Sequence, residues 1–289
     1  MNQITPDPIT AAPQAATQAP VTAPLHFIVP QAAKPRFLSA ASTGGAPEYQ
    51  FETREHWVPI ADLRPQADTF TLDREGFALL NRPSAVTDFY DDGQIDQIYH
   101  PEIERLVADA LGASRVVIFD ATRRSDSSSG AANKDGNRGP ARIIHVDYTE
   151  KSGPQRVIDL LGAEEAARLQ RDGTRIAQVN VWRPIRGPVE RSPLALADAT
   201  TVRPDALVAT DQVFPNRVGE IYHLIHDTDQ RWYYAPRMVP DEVLLIKGWD
   251  SLNDGRARFT PHSAVALPGT PDTAPPRESI EIRTLAIFS

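Results

Sequence analysis

From Arg175 to the C-terminus the chain falls into short extended runs separated by turn residues: Ile176–Trp182, Glu220–His226, Arg231–Ala235, Glu242–Gly248, Phe259–Leu267 and Ser279–Phe288. Runs of this length, rich in Val, Ile, Tyr and Trp, are too short for helices and need partners in a sheet. Strands at this spacing imply a mainly β chain, a sandwich or jelly roll. The break Asp227-Thr228-Asp229-Gln230 reads as a hairpin turn between two of them.

Upstream, helices flank the strands. Pro101 to Gly112 has proline in the first turn, acids near its start, apolar residues at 103, 106, 107, 110 and 111, and glycine as its stop. Val116–Asp120 reads as a buried strand, and Gln155–Leu161 and Ala163–Arg171 as two short helices. A Ser-, Gly- and Asn-rich stretch, Ser125 to Gly139, precedes the next apolar run as a loop of the length used for lids or inserts. Residues 1–24 are almost entirely Ala, Pro, Thr and Gln, a composition that buries too little to offset its ordering entropy. They are expected to be a disordered tail before a single domain over 25–289.

The 289 residues carry a net charge of -8 with no basic block, which argues against nucleic acid. The chain has no cysteine, so disulfides, thiolate metal sites and cysteine nucleophiles are excluded together. No stretch reads as a secretory signal or a bilayer span. A cytoplasmic protein acting on a small molecule is expected, with homo-oligomerisation left open. Neither a Gly-rich phosphate loop nor a Gly-x-Ser-x-Gly elbow is present.

The chemistry-bearing pattern is His145-Val146-Asp147 inside the run Ala141–Tyr148. Alternation on a strand points His145 and Asp147 the same way. With seven histidines in the chain, one His-x-Asp is near chance; its weight comes from His262 and from Arg277-Glu278-Ser279 beyond it. Two histidines and a carboxylate from separate strands are the ligand set of the facial triad of non-haem iron(II) oxygenases. An Arg-x-Ser pair, Arg277 with Ser279, suits a dicarboxylate such as 2-oxoglutarate, because guanidinium grips carboxylate bidentately. The competing His100-Pro101-Glu102 marks a helix entry. His223 and His226 fall on opposite faces of a strand and read as structural.

Longer stretches resemble a known family: Asn180-Val181-Trp182-Arg183-Pro184-Ile185, Pro193-Leu194-Ala195, Arg231 through Pro236, Pro240-Asp241-Glu242 and Arg277 through Arg283. Together they resemble the hydroxylase/desaturase group that includes fungal gibberellin desaturase, the asperfuranone-type oxidases and the bacterial cephalosporin-methoxylase component. The resemblance covers about residues 50 to 288. It implies a double-stranded β-helix, cupin-like, that oxidises a secondary metabolite with Fe(II), 2-oxoglutarate and O2. It also implies His145, Asp147 and His262 as iron ligands and Arg277 as the anchor of the distal 2-oxoglutarate carboxylate. Arg283, on the same face, is the rival anchor. Tyr148, Asn180, Trp182 and Arg183 are candidate substrate contacts. The chain departs from the family pattern at Ala121, where relatives tend to carry histidine, so the substrate is not inherited. Two other readings keep the barrel: a metal-dependent isomerase or lyase, which would leave Arg277 without a role, and a non-catalytic cupin-like binding protein.

Overall fold

A computed structural model describes residues 19–44, 47–133 and 136–288. Its strands are β1 (Val21–Ile28), β2 (Arg36–Leu38), β3 (Glu48–Tyr49), β4 (Thr53–Asp62), β5 (Phe77–Asn81), β6 (Arg115–Ser125), β7 (His145–Val146), β8 (Ile176–Pro184), β9 (Leu194–Ala197), β10 (Leu207–Phe214), β11 (Arg217–Leu224), β12 (Trp232–Tyr234), β13 (Glu242–Asp250), β14 (His262–Ala264) and β15 (Glu278–Ile287). The main helices are α1 (His100–Leu111), α2 (Ser152–Leu161) and α3 (Ala163–Arg171). The expected helices are all present. Residues 1–18 of the expected tail lie outside the described residues, whereas Val21–Pro24 already pair as strand with Ile60–Trp57.

The strands form two facing sheets, the jelly roll. The minor sheet is antiparallel throughout, in the order β5-β13-β8-β15-β6. The major sheet runs β1-β4-β12-β9-β14-β7-β11-β10-β2-β3. Both of its edges come from one stretch of chain, because β2 and β3 lie in the connection between β1 and β4. A bridge between His26 and Ile143 curls the sheet back on itself around Leu25, Phe27, Ile60, Ile144, Leu224 and Trp232.

One expectation fails here. Residues 227–230 are not a hairpin turn, because β11 pairs with β10 and β7 while β12 pairs with β4 and β9. The hairpin lies one strand earlier, where Pro215 and Asn216 link β10 to β11 in continuous register from Leu207–Leu224 to Phe214–Arg217.

Burial explains the alternation along β8. Ala177, Val179 and Val181 pack with Ile103, Leu106 and Val107 of α1 on the outer face of the minor sheet. Each of these Val, Ile and Leu side chains contributes roughly 2 kcal/mol on leaving water. Gly112 stops α1 in the left-handed conformation, φ 69°. The even-numbered residues Asn180 and Trp182 point inward, toward the major sheet. On β15, Ile280 and Ile282 face α1 while Glu281 and Arg283 face inward. The interior between the sheets is therefore apolar at one end and holds charged groups at the other.

Candidate active site between the two sheets

His145 on β7 and His262 on β14 are direct partners across the ladder. Their rings stand 4.6 Å apart, tilted by 51°. Each Nδ1 bonds the backbone carbonyl two residues back, His145 to Ile143 and His262 to Thr260, both at 2.9 Å. Nδ1–H donates there, so each Nε2 keeps its lone pair for a ligand. Burial, then the neighbouring His262, pushes the His145 imidazole down to about 3, so it is neutral near pH 7.

Thr260 is itself fixed: its hydroxyl donates to the Gly76 carbonyl at 2.8 Å. Gly76 adopts φ +88°, and a Cβ there would stand 2.2 Å from Thr260 Oγ1. Only glycine fits this approach, and the contact sets the carbonyl that orients His262.

Asp147 follows β7 directly. Its Oδ2 accepts from Asn180 Nδ2 at 2.5 Å, its Oδ1 accepts from Arg283 Nη2 at 3.3 Å, and Oδ1 lies 3.9 Å from His145 Nε2. Burial alone would raise this carboxyl. Arg283, the two histidines and the Asn180 bond outweigh it and hold Asp147 well below the usual carboxylate range. Among the described residues, no three His, Asp or Glu side chains converge on a single metal position. The Asp147 carboxylate is held on Asn180 and Arg283 instead. The donor chemistry nevertheless fits: two ring nitrogens free to ligate and an ionised carboxylate stand side by side, an N,N,O set that suits Fe(II).

A cavity opens beside these residues, lined by His145, His262, Trp182, Leu194, Arg124, Arg277, Glu281 and Arg283. The two rival arginines differ in what already holds them. Arg283 Nε donates to Glu281 at 3.1 Å and Nη2 reaches Asp147. Burial pulls its guanidinium down, yet Asp147 and Glu281 carry it well above the ordinary value. Arg277 is 3% exposed, gives only Nη1 to the Ser192 carbonyl at 2.7 Å, and leaves its buried Nε without a partner. Burial and the nearby Arg124 push it down to about 9. A buried guanidinium with a free donor asks for an anion.

Not every residue singled out from sequence reaches this cavity. Trp182 does, with its ring 5.7 Å from the Arg277 guanidinium, whereas Asn180 is outside the lining and bonds the Asp147 carboxylate. Arg183 is on the opposite face of β8, where it bonds the Tyr99 hydroxyl at 2.9 Å and the carbonyls of Arg82 and Pro240. Alternation alone requires this, since its neighbour Trp182 faces in. Tyr148 packs in the core with Trp249 and Leu285, close against Gly248. Ser279 shares the inward face and sits opposite Arg124 in register, but it is not one of the cavity's lining residues. Arg124 and Glu281 were missed; the alternation of β6 and β15 carried on from Arg277 and Ser279 would have found both. His226 stacks on His56, ring centroids 3.9 Å apart at 9°, away from this cavity.

Known proteins resemble this chain along most of its length. A family model described as an oxidoreductase/YMDC permease-like domain matches residues 25–287. The hydroxylase/desaturase efuI of Hormonema carpetanum is 32% identical over 267 residues, covering 85% of this chain and 88% of the relative. The Fe(II)/2-oxoglutarate-dependent dioxygenase nvfI of Aspergillus novofumigatus is 32% identical over 249 residues, covering 83% and 86%. A solved structure of the iron and alpha-ketoglutarate-dependent endoperoxidase NvfI superposes with a TM-score of 0.81 at 29% identity, over 94% of this chain and all of that one. The jelly roll, and relatives of this kind along most of its length, place the chain in the hydroxylase/desaturase family of Fe(II)/2-oxoglutarate-dependent oxygenases.

Proposed function

We propose that His145, Asp147 and His262 hold iron(II), and that Arg277 grips the distal carboxylate of 2-oxoglutarate. The chain is an Fe(II)/2-oxoglutarate-dependent dioxygenase of secondary metabolism that hydroxylates or desaturates a small molecule. The observation that carries the residue assignment is the free Nε of buried Arg277 in the same cavity as two histidines whose Nε2 lone pairs are unused.

When bound, iron(II) with 2-oxoglutarate and O2 supplies the oxidising power, and 2-oxoglutarate leaves as succinate and carbon dioxide. The protein does the positioning. The carbonyls of Ile143 and Thr260 fix both imidazole planes, and Asn180 and Arg283 hold the Asp147 carboxylate ionised beside them. Outer partners of this kind orient ligands and raise their basicity. Trp182 and Leu194 close the cavity with apolar surface and exclude water around the Arg277 charge. Because Asp147 is a carboxylate and not a small residue, the metal would not present the open position that a halide ligand needs. The absence of cysteine fits a reducing, cytoplasmic setting.

The assignment is tested by substitution. His145→Ala should abolish iron binding in anaerobic equilibrium dialysis. Arg277→Ala should raise the 2-oxoglutarate requirement while the metal stays bound. If Arg283→Ala does this and Arg277→Ala does not, the anchor is Arg283.

A further inference from the structure

We infer that His223, with Phe51 packed over it, forms the substrate-facing wall of the site and accepts a hydrogen bond from a hydroxyl of a largely apolar, ring-bearing molecule. This rests on the oxygenase reading above and names the residue that selects the substrate.

The cavity containing Arg277 lies to one side of His145, its wall running through Leu194 of β9 and His262 of β14. The strand on the other side of β7 is β11, and its His223 is the direct partner of His145. Three histidines, 223, 145 and 262, therefore stand in one row across β11, β7 and β14. Directly opposed residues leave a sheet on the same face. With 2-oxoglutarate taken up on the β9 and β14 side, the β11 side is the approach left for the carbon to be oxidised.

His223 is only 3% exposed, and its one hydrogen bond runs from Nδ1 to Thr210 Oγ1 at 2.9 Å. The Thr210 hydroxyl is itself a donor to the Val208 carbonyl at 3.3 Å, so it accepts from Nδ1–H. In the neutral ring, Nε2 is then an acceptor to which no described residue donates, the complement of an alcohol. The sequence position alone gives no hint of this, since His223 and His226 both read as structural.

The second observation is aromatic. The Phe51 ring lies 4.8 Å from His223 at 49°, Tyr49 lies 5.6 Å from Phe51, and Phe37 4.9 Å from Tyr49. The string starts at Tyr49, half exposed, and ends on His223. Tyr49 also lies within the field of Arg124, which lines the cavity. The stretch carrying it is pinned to the far edge of the sheet, β2 on β10 and β3 on β2. Ring faces at an entrance offer apolar contact area to a cyclic, uncharged molecule.

The test uses the full chain loaded anaerobically with Fe(II) and 2-oxoglutarate, titrated calorimetrically with 2-decalol and with decalin. Wild type should prefer the alcohol by about three- to tenfold, the worth of one neutral hydrogen bond. His223→Phe should erase that preference while keeping the visible charge-transfer band of the loaded site, and His223→Gln should retain part of it. Phe51→Ala should weaken both probes equally. The proposal is overturned if wild type binds neither probe or both alike, or if His223→Phe keeps the preference. Loss of the band in His223→Phe alone would make His223 a metal ligand instead. A missing band in wild type would bring down the oxygenase reading itself, a separate result.

Discussion

Replacing Arg277 by Met should leave the empty protein at least as stable as before while crippling its hold on 2-oxoglutarate. The guanidinium is 3% exposed and is pushed down to about 9 by burial and by Arg124. At about 1.4 kcal/mol per pKa unit, keeping it charged costs up to about 5 kcal/mol. Against this stands one bond from Nη1 to the Ser192 carbonyl at 2.7 Å, worth about 1.5–3 kcal/mol as a charged donor. The backbone N–H of residue 277 keeps its bond to Asp126 in either variant. The balance lies between neutral and about 3 kcal/mol in favour of the variant, as buried charges replaced by apolar groups often show. The bound state reverses the sign. Two charge-assisted bonds to a carboxylate, together about 3 kcal/mol or more, weaken the dissociation constant at least about 100-fold when removed. Urea unfolding of the metal-free protein and anaerobic calorimetry of 2-oxoglutarate on the Fe(II) form measure the two halves. A variant that is destabilised by more than about 1 kcal/mol, below even the neutral limit, and that binds 2-oxoglutarate like wild type would refute the reasoning.

Asn180→Ala removes the 2.5 Å bond to Asp147 and should lower iron affinity about 10- to 100-fold in competition with a chelator, with the fold intact by circular dichroism. Lys247 is fully buried and bonds Asp73 at 2.6 Å and Asp250 at 2.9 Å. Lys247→Met leaves the buried Asp250 charge with Arg175 and the Leu252 N–H and should cost about 3 kcal/mol in urea unfolding. Burial pushes His223 down to about 4, against about 6.5 in the unfolded chain. A depressed histidine contributes stability that is present above pH 6.5 and lost as pH falls toward 4. His145, pushed down further to about 3, acts over the same window. Unfolding of the metal-free protein should therefore lose about 3 kcal/mol there through His223 alone, and His223→Gln should lower the slope without abolishing it.

The parts of this molecule that sequence reveals are those written in short-range pattern. Helix α1 announces itself through Pro101, its apolar stripe and Gly112, and the apolar strands β8, β13 and β15 through their side chains. β10 does not, because Thr210, Asp211 and Gln212 break its apolar run although register with β11 holds it. The false hairpin at 227–230 has a similar cause: turn chemistry shows that the chain reverses, not which strand it meets next. Arg183 was placed in the pocket because β8 is buried on both faces, so hydrophobicity alone does not mark the inward one; counting alternation from Asn180 settles it. The separation of Arg277 from Arg283 depends on which carboxylates, Asp147 and Glu281, have already claimed a guanidinium. The row of His223, His145 and His262 depends on the registers of β7 with β11 and β14. Neither is encoded in local spacing.

The central claim is that His145, Asp147 and His262 hold iron beside a 2-oxoglutarate anchored by Arg277. Anaerobic titration of the purified chain with Fe(II) and then 2-oxoglutarate, followed by visible absorption, tests it most directly. The account predicts a charge-transfer band that saturates with one iron per chain and is absent in His145→Ala. A wild-type protein that binds no iron and develops no band would contradict it.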